Sequence, residues 1–178
     1  MLFLPGMSGR GEFWDPVRAH LEGFDTAALD WPWEAVDGYD GFVDYVTQRL
    51  DRPTVLVGQS MGGYVAALVA LAAPDRVSHL VLAVTSAGLD MTEFGATDWR
   101  PGSRAAHPDV PEWAFAPAAD LTDQLSTISV PTLLMWADRD PISPLAWERR
   151  TPYHGNYTLQ PVPAYVERFY QPAAVSAA

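Results

Sequence analysis

Cysteine is absent from the 178 residues. That removes disulfides, thiolate metal ligands and cysteine nucleophiles together and suits a reducing compartment, so the cytoplasm is the expected location. Positive charge is scarce: 11 Lys and Arg stand against 22 Asp and Glu, a net charge of −11. A surface of that sign repels phosphate backbones and anionic lipid, and neither nucleic acid nor a membrane is expected as a partner. Long apolar runs are also missing. No stretch approaches the ~20 residues that span a bilayer, and Met1-Leu2-Phe3-Leu4-Pro5 lacks the basic region of a signal peptide. With no P-loop, dinucleotide fingerprint or metal-ligand cluster, neither a cofactor nor a metal is expected.

The length suits one compact domain, residues 1–178, with a core. Short apolar runs alternate with helical patterns. Leu2–Leu4, Thr26–Leu29, Thr54–Val57, Leu80–Val84, Thr132–Trp136 and Tyr157–Val162 read as strands. Helices are predicted from Pro16 to about Leu21 with Asp15 as cap, from Tyr39 to Leu50 with Phe42, Tyr45, Val46 and Leu50 on one face, and from Met61 to Ala73. Strand, helix and strand at this spacing imply an α/β fold with a mostly parallel sheet and helices on both faces. Residues 86–120 lack periodicity and carry Phe94, Trp99, Trp113 and Phe115 among prolines and glycines. The segment reads either as a small lid or as a surface loop whose rings plug the sheet edge.

Gly58-Gln59-Ser60-Met61-Gly62 follows an apolar strand and opens an apolar helix. A serine on so tight a strand-to-helix turn needs small neighbours, which Gly58, Gly62 and Gly63 supply, and the bend lifts its hydroxyl clear of the sheet. Met61 then begins the helix, where its backbone N–H can meet a developing oxyanion. In an open parallel sheet, an acid past the carboxyl end of a neighbouring strand lies on the same rim. Asp138 and Asp140 both follow the strand ending at Trp136.

These residues resemble the α/β-hydrolase fold superfamily over most of the chain. Val57-Gly58-Gln59-Ser60-Met61-Gly62-Gly63 is similar to its nucleophile elbow, and Ala73-Pro74-Asp75-Arg76-Val77 to its following helix-to-strand passage. Phe3-Leu4-Pro5-Gly6-Met7 is similar to the loop giving the second oxyanion donor, here implied to be Met7. Pro131 to Pro144 is similar to the strand and loop presenting the catalytic acid, implied to be Asp140. The fold implied has trimmed N-terminal strands and a short lid insertion.

The family places its histidine after the last strand, yet His20, His79, His107 and His154 all precede Tyr157. Alignment puts Tyr165 at the expected position, with Glu167 next. A phenol of pKa near 10 is only about one part in a thousand ionised at neutral pH and accepts protons poorly. His154, the one histidine after Asp140, and His107, in the insertion, are the remaining candidate bases.

Phe13, Trp14, Trp31, Trp33, Trp99 and Trp113 lie in or beside loops leaving the sheet, which suggests a pocket walled by rings, with Trp14, Trp99 and Trp113 as its candidate lining. A small apolar substrate or ligand is therefore expected. The leading expectation is a serine hydrolase acting on an ester, thioester or similar acyl bond. The alternatives are a catalytically impaired binding protein, because of Tyr165, and a lyase using the same serine. Oligomeric state is left open by the sequence.

Overall fold

The computed structural model describes residues 1–137 and 139–144, together with the backbone of the strand Tyr157–Val162. Strands β1 (Leu2–Leu4), β2 (Ala27–Ala28), β3 (Thr54–Gln59), β4 (Val77–Ala83), β5 (Thr132–Ala137) and β6 (Tyr157–Val162) form one sheet in the order β2-β1-β3-β4-β5-β6. Every pairing is parallel. The chain winds outward in both directions from the neighbourhood of β1 and β3, and the carboxyl ends of β1, β3, β4 and β5 share one rim.

Alternation along the strands separates two cores. Leu2, Leu4, Leu56, Leu80, Leu82, Leu134 and Trp136 face helices α2 (Tyr39–Thr47) and α3 (Met61–Ala72). Phe3 and Val57 face the other way, against Trp14 and its neighbours. On this second face lie a 3-10 turn, Gly11–Trp14, and the four-residue helix α1 (Asp15–Arg18). The predicted aspartate cap is not formed. Because the turn runs directly into α1, Asp15 is a residue of its first turn, and its carboxylate pairs with Arg18 at 2.8 Å instead.

Helix α2 ends at Thr47, shorter than predicted, but Phe42, Val46 and Leu50 are buried as its pattern requires, with Tyr45 half-buried. In α3 the residues Met61 to Ala67, Val69 and Ala70 are all buried, as so apolar a helix demands. Residues 86–120 hold two 3-10 turns, Met91–Phe94 and Glu112–Phe115, and helix α4 (Arg100–Ala106). A further short helix, α5 (Thr122–Leu125), precedes β5. Among the described residues no helix is long and apolar enough to cross a membrane.

Candidate active site

Ser60 stands between β3 and α3 with φ 52° and ψ −119°. L-residues rarely adopt this conformation, at a cost of roughly 1–3 kcal/mol, so the surroundings must enforce it. Steric contact on three sides does so. A Cβ on Gly58 would lie 2.4 Å from the Gly62 carbonyl oxygen, one on Gly62 would lie 2.4 Å from both the Leu4 and Pro5 oxygens, and one on Gly63 would lie 2.8 Å from the Thr85 side chain. No real side chain tolerates such approaches, which is why the motif needs glycine at each. The Ser60 N–H donates to Ala83 O at 2.9 Å, and its carbonyl accepts from Gly63 and Tyr64 at 3.0 and 3.1 Å. Ser60 itself is only half-buried.

Met61, first residue of α3, opens the helical turn, where the first N–H groups have no carbonyl a turn before them to bond. Across from it runs the loop after β1. Gly62 seats directly on the Leu4 and Pro5 carbonyls, and Gly6 lies under the Gln59 side chain, so elbow and loop are in contact. Met7, half-buried, packs against a small cluster of Val110, Ala114 and Phe115 from the insertion.

Asp140 lies three residues beyond β5 and is 4% exposed. Its Oδ1 accepts the N–H groups of Ile142 and Ser143, both at 2.8 Å. Its Oδ2 is buried with no hydrogen-bond partner among the described residues. Burial pushes the carboxyl above its ordinary value, while the Ser143 and Ile142 N–H groups pull the other way. Ser143 ties this loop to its neighbours: its hydroxyl donates to Val84 O at 3.3 Å, and its carbonyl accepts the Trp136 indole N–H at 2.7 Å. Val84, just past β4, has φ 45°, an outlier for a β-branched residue. The Val84 N–H bond to Met135 O, at 3.0 Å, and the Ser143 hydroxyl hold it there.

The fold thus brings Met7, Ser60, Met61 and Asp140 to one rim, on loops following β1, β3 and β5. His79, early in β4 and paired with Val55, belongs to the opposite end of the sheet and is exposed, as is His20. His107 ends α4, half-buried, and its backbone N–H donates to Ser103 O. Asp138, His154, Tyr165 and Glu167 lie outside the described residues.

The expected pocket aromatics divide. Trp113 packs on Phe42, Tyr39 and Trp33, with ring centroids 5.5, 5.7 and 5.9 Å away, so the insertion lies over the rim beside Met7. Trp99 stacks obliquely on Phe115 at 6.1 Å. Trp14 is buried against Phe3 and Phe13, and its indole N–H donates to Leu4 O. Two further ties bind the insertion to the rim: the Tyr64 hydroxyl donates to Ala119 O at 2.8 Å, and the Thr97 N–H to Pro141 O at 2.7 Å. Burial, then the neighbouring Tyr64, pushes the Tyr39 phenol up to about 12, so both rings of this pair are neutral at physiological pH. Sequence reasoning did not assign Ser143, Tyr64 or Trp136 to the site. Their role lies in contacts between distant segments, for which the sequence carries no local signal.

Comparison with known proteins agrees with this geometry. The sequence profile of the alpha/beta hydrolase fold family matches residues 35–121, which include the elbow. Lipase LipV of Mycobacterium tuberculosis is 35% identical over 100 residues, a stretch covering 51% of this chain and 38% of that lipase. A thermophilic esterase from Thermogutta terrifontis superposes with a TM-score of 0.68 at 25% identity, over 91% of this chain and 80% of that one. Naproxen esterase from Bacillus subtilis gives 0.72 at 14% identity, over 92% and 75%. Fold order, elbow and relatives converge: the chain has the α/β-hydrolase fold and is similar in sequence to lipases and esterases that share it.

Proposed function

We propose that the protein is a serine hydrolase that cleaves an ester, thioester or similar acyl bond of a small apolar substrate, with Ser60 as nucleophile and Asp140 as the orienting acid. The strained backbone of Ser60 carries this reading. Such a cost persists where a function requires it, and here it holds a hydroxyl at the rim beside the first turn of a buried helix. Attack by the Ser60 oxygen on an acyl carbon breaks the carbonyl π bond and leaves negative charge on oxygen. The Met61 and Met7 amides are the proposed donors to that charge, a contribution of about 10² to 10³ in rate for each such donor in acyl-transfer enzymes. Asp140 Oδ2, buried and unpaired among the described residues, is an acceptor of the kind that orients a base. The rings of Trp113 and Trp99 beside Met7 favour an apolar acyl group.

A fluorophosphonate probe should label the wild type at Ser60 and leave Ser60→Ala untouched. An unlabelled wild type, beside a control esterase that reacts, would sink the reading. A second reading, ligand binding without turnover, is favoured by Tyr165 at the position where the family's histidine is expected. Tyr165→His separates the two. A rise in p-nitrophenyl ester turnover of several powers of ten would mark a site lacking only its base, since removing a triad histidine alone costs up to about 10⁶ in kcat. An unchanged rate in an already active protein would show that the base stands elsewhere, with His107 and His154 the next to replace.

A further inference from the structure

We propose that Trp31, assisted by Trp14, is a positioning residue for the oxyanion loop: its indole and backbone N–H groups hold Pro5 and Gly9, the two ends of the turn that carries the Met7 amide. The inference rests on the hydrolase reading and deepens it.

Three successive carbonyls of the loop leaving β1 each have a donor. Leu4 O accepts from Trp14 Nε1 at 3.0 Å, Pro5 O from Trp31 Nε1 at 3.0 Å, and Gly6 O from the Gly9 N–H at 3.1 Å. A trans peptide is planar, and its C=O and the next residue's N–H point in opposite directions. Turning Pro5 O toward Trp31 therefore directs the Gly6 N–H away from it, and turning Gly6 O toward Gly9 directs the Met7 N–H the other way. Trp31 acts on the first peptide directly and on the second through Gly9, the donor to Gly6 O, whose own carbonyl accepts the Trp31 backbone N–H at 2.8 Å. One residue thus staples the loop at its two ends.

The anchor is rigid. Trp31 is 4% exposed and its ring lies 4.5 Å from that of Phe42 on α2; Trp14 is 7% exposed. A buried indole N–H left without an acceptor carries the full desolvation penalty of the donor, which opposes any rotation of the carbonyl it holds. The same two carbonyls, Leu4 O and Pro5 O, are the seat of Gly62. Their direction accordingly sets the spacing between the Ser60 elbow and the facing amide, a spacing on which transition-state stabilisation depends more steeply than substrate binding does.

Trp31→Phe retains a ring and removes the donor. The rate of Ser60 labelling by a fluorophosphonate, whose phosphoryl oxygen occupies the oxyanion position, should fall about ten- to a hundredfold, less than for outright loss of a donor. For a p-nitrophenyl ester, kcat should fall likewise with KM within about twofold, the signature of an interaction made only in the transition state. Trp14→Phe should show the same pattern more weakly. If thermal unfolding shows that Trp31→Phe does not fold, 3-benzothienylalanine at position 31 keeps the two-ring shape with sulfur in place of N–H and takes its place. A folded variant that labels like the wild type, or that changes KM without kcat, overturns the inference while leaving the hydrolase reading intact. A wild type that is not labelled overturns both.

Discussion

On one side of the Ser60 elbow the loop after β1 has its carbonyls held by indole and amide donors and its backbone pressed against Gly62. On the other side, across β4, Asp140 is equally buried but only half satisfied: Oδ1 has two donors and Oδ2 has none among the described residues. The first region is closed upon itself, with its geometry fixed by steric exclusion and internal hydrogen bonds. The second, among the described residues, keeps an acceptor atom open. The contrast shows that the elbow and its facing loop are fully formed by residues 4–85, through contacts they make with one another.

The largest effect should come from Asp140. Asp140→Asn is expected to reduce ester turnover by about 10³ to 10⁴, the order seen when a triad acid is made neutral, with Asp138→Asn close to wild type. A pH test sharpens the comparison. Burial raises the folded carboxyl above its ordinary 3.8, so the stability it confers is present below that value and is lost as pH rises through the folded pKa. The melting temperature of the wild type should therefore fall relative to Asp140→Asn from acid to neutral pH. The opposite slope would mean that a cationic donor faces Oδ2, and the two sides of the rim would be alike.

Gly62→Ala should follow, acting on the closed side. The new methyl would lie 2.4 Å from two backbone oxygens, with no flexible side chain to yield. A loss of about 1–3 kcal/mol is expected in denaturant unfolding, as for other overpacked sites, together with a loss of turnover as elbow and loop separate. Tyr64→Phe should be milder, about 0.5–1.5 kcal/mol for one hydrogen bond. It releases Ala119 and so loosens the insertion from α3. A raised KM with kcat preserved would show that the insertion shapes the pocket rather than the reacting geometry.

The elbow was legible because everything that makes it is local: strand, glycines, serine and apolar helix lie within a few residues of one another. The parallel sheet was legible for a related reason, since Val55, Leu56 and Val57 must be covered on two faces. The loop anchors were not, because Trp14 reaches back 10 residues to Leu4 and Trp31 reaches back 26 to Pro5. From the sequence these rings read as pocket walls, and nothing in their spacing tells that their N–H groups face carbonyls. The start of α1 misled for a similar reason: Asp15-Pro16 has the composition of a cap, but the preceding turn already supplies the helix entry. In the insertion, contacts between Trp113 and α2 replace periodicity, so its place over Met7 could not be anticipated. The base is the remaining case, with His154 and Tyr165 outside the described residues and His107 making no described side-chain bond.

The smallest effect tests the insertion by repeating the Gly62 substitution elsewhere. Gly102 lies inside α4, and a Cβ built on it meets nothing within 4 Å. Gly102→Ala should therefore favour α4 by about 0.5–1 kcal/mol through backbone entropy alone. How that gain is read depends on coupling. If the Tyr64 and Thr97 ties make the insertion unfold with the sheet, global stability rises by the same amount. If the insertion opens as a unit of its own, hydrogen exchange of residues 100–106 slows while the melting temperature stays put. The first outcome makes the insertion a fixed wall of the site; the second makes it a lid. One methyl group would thus destabilise the molecule at the elbow and stabilise it above the rim, because only at the elbow is the space already occupied by the backbone that the site requires.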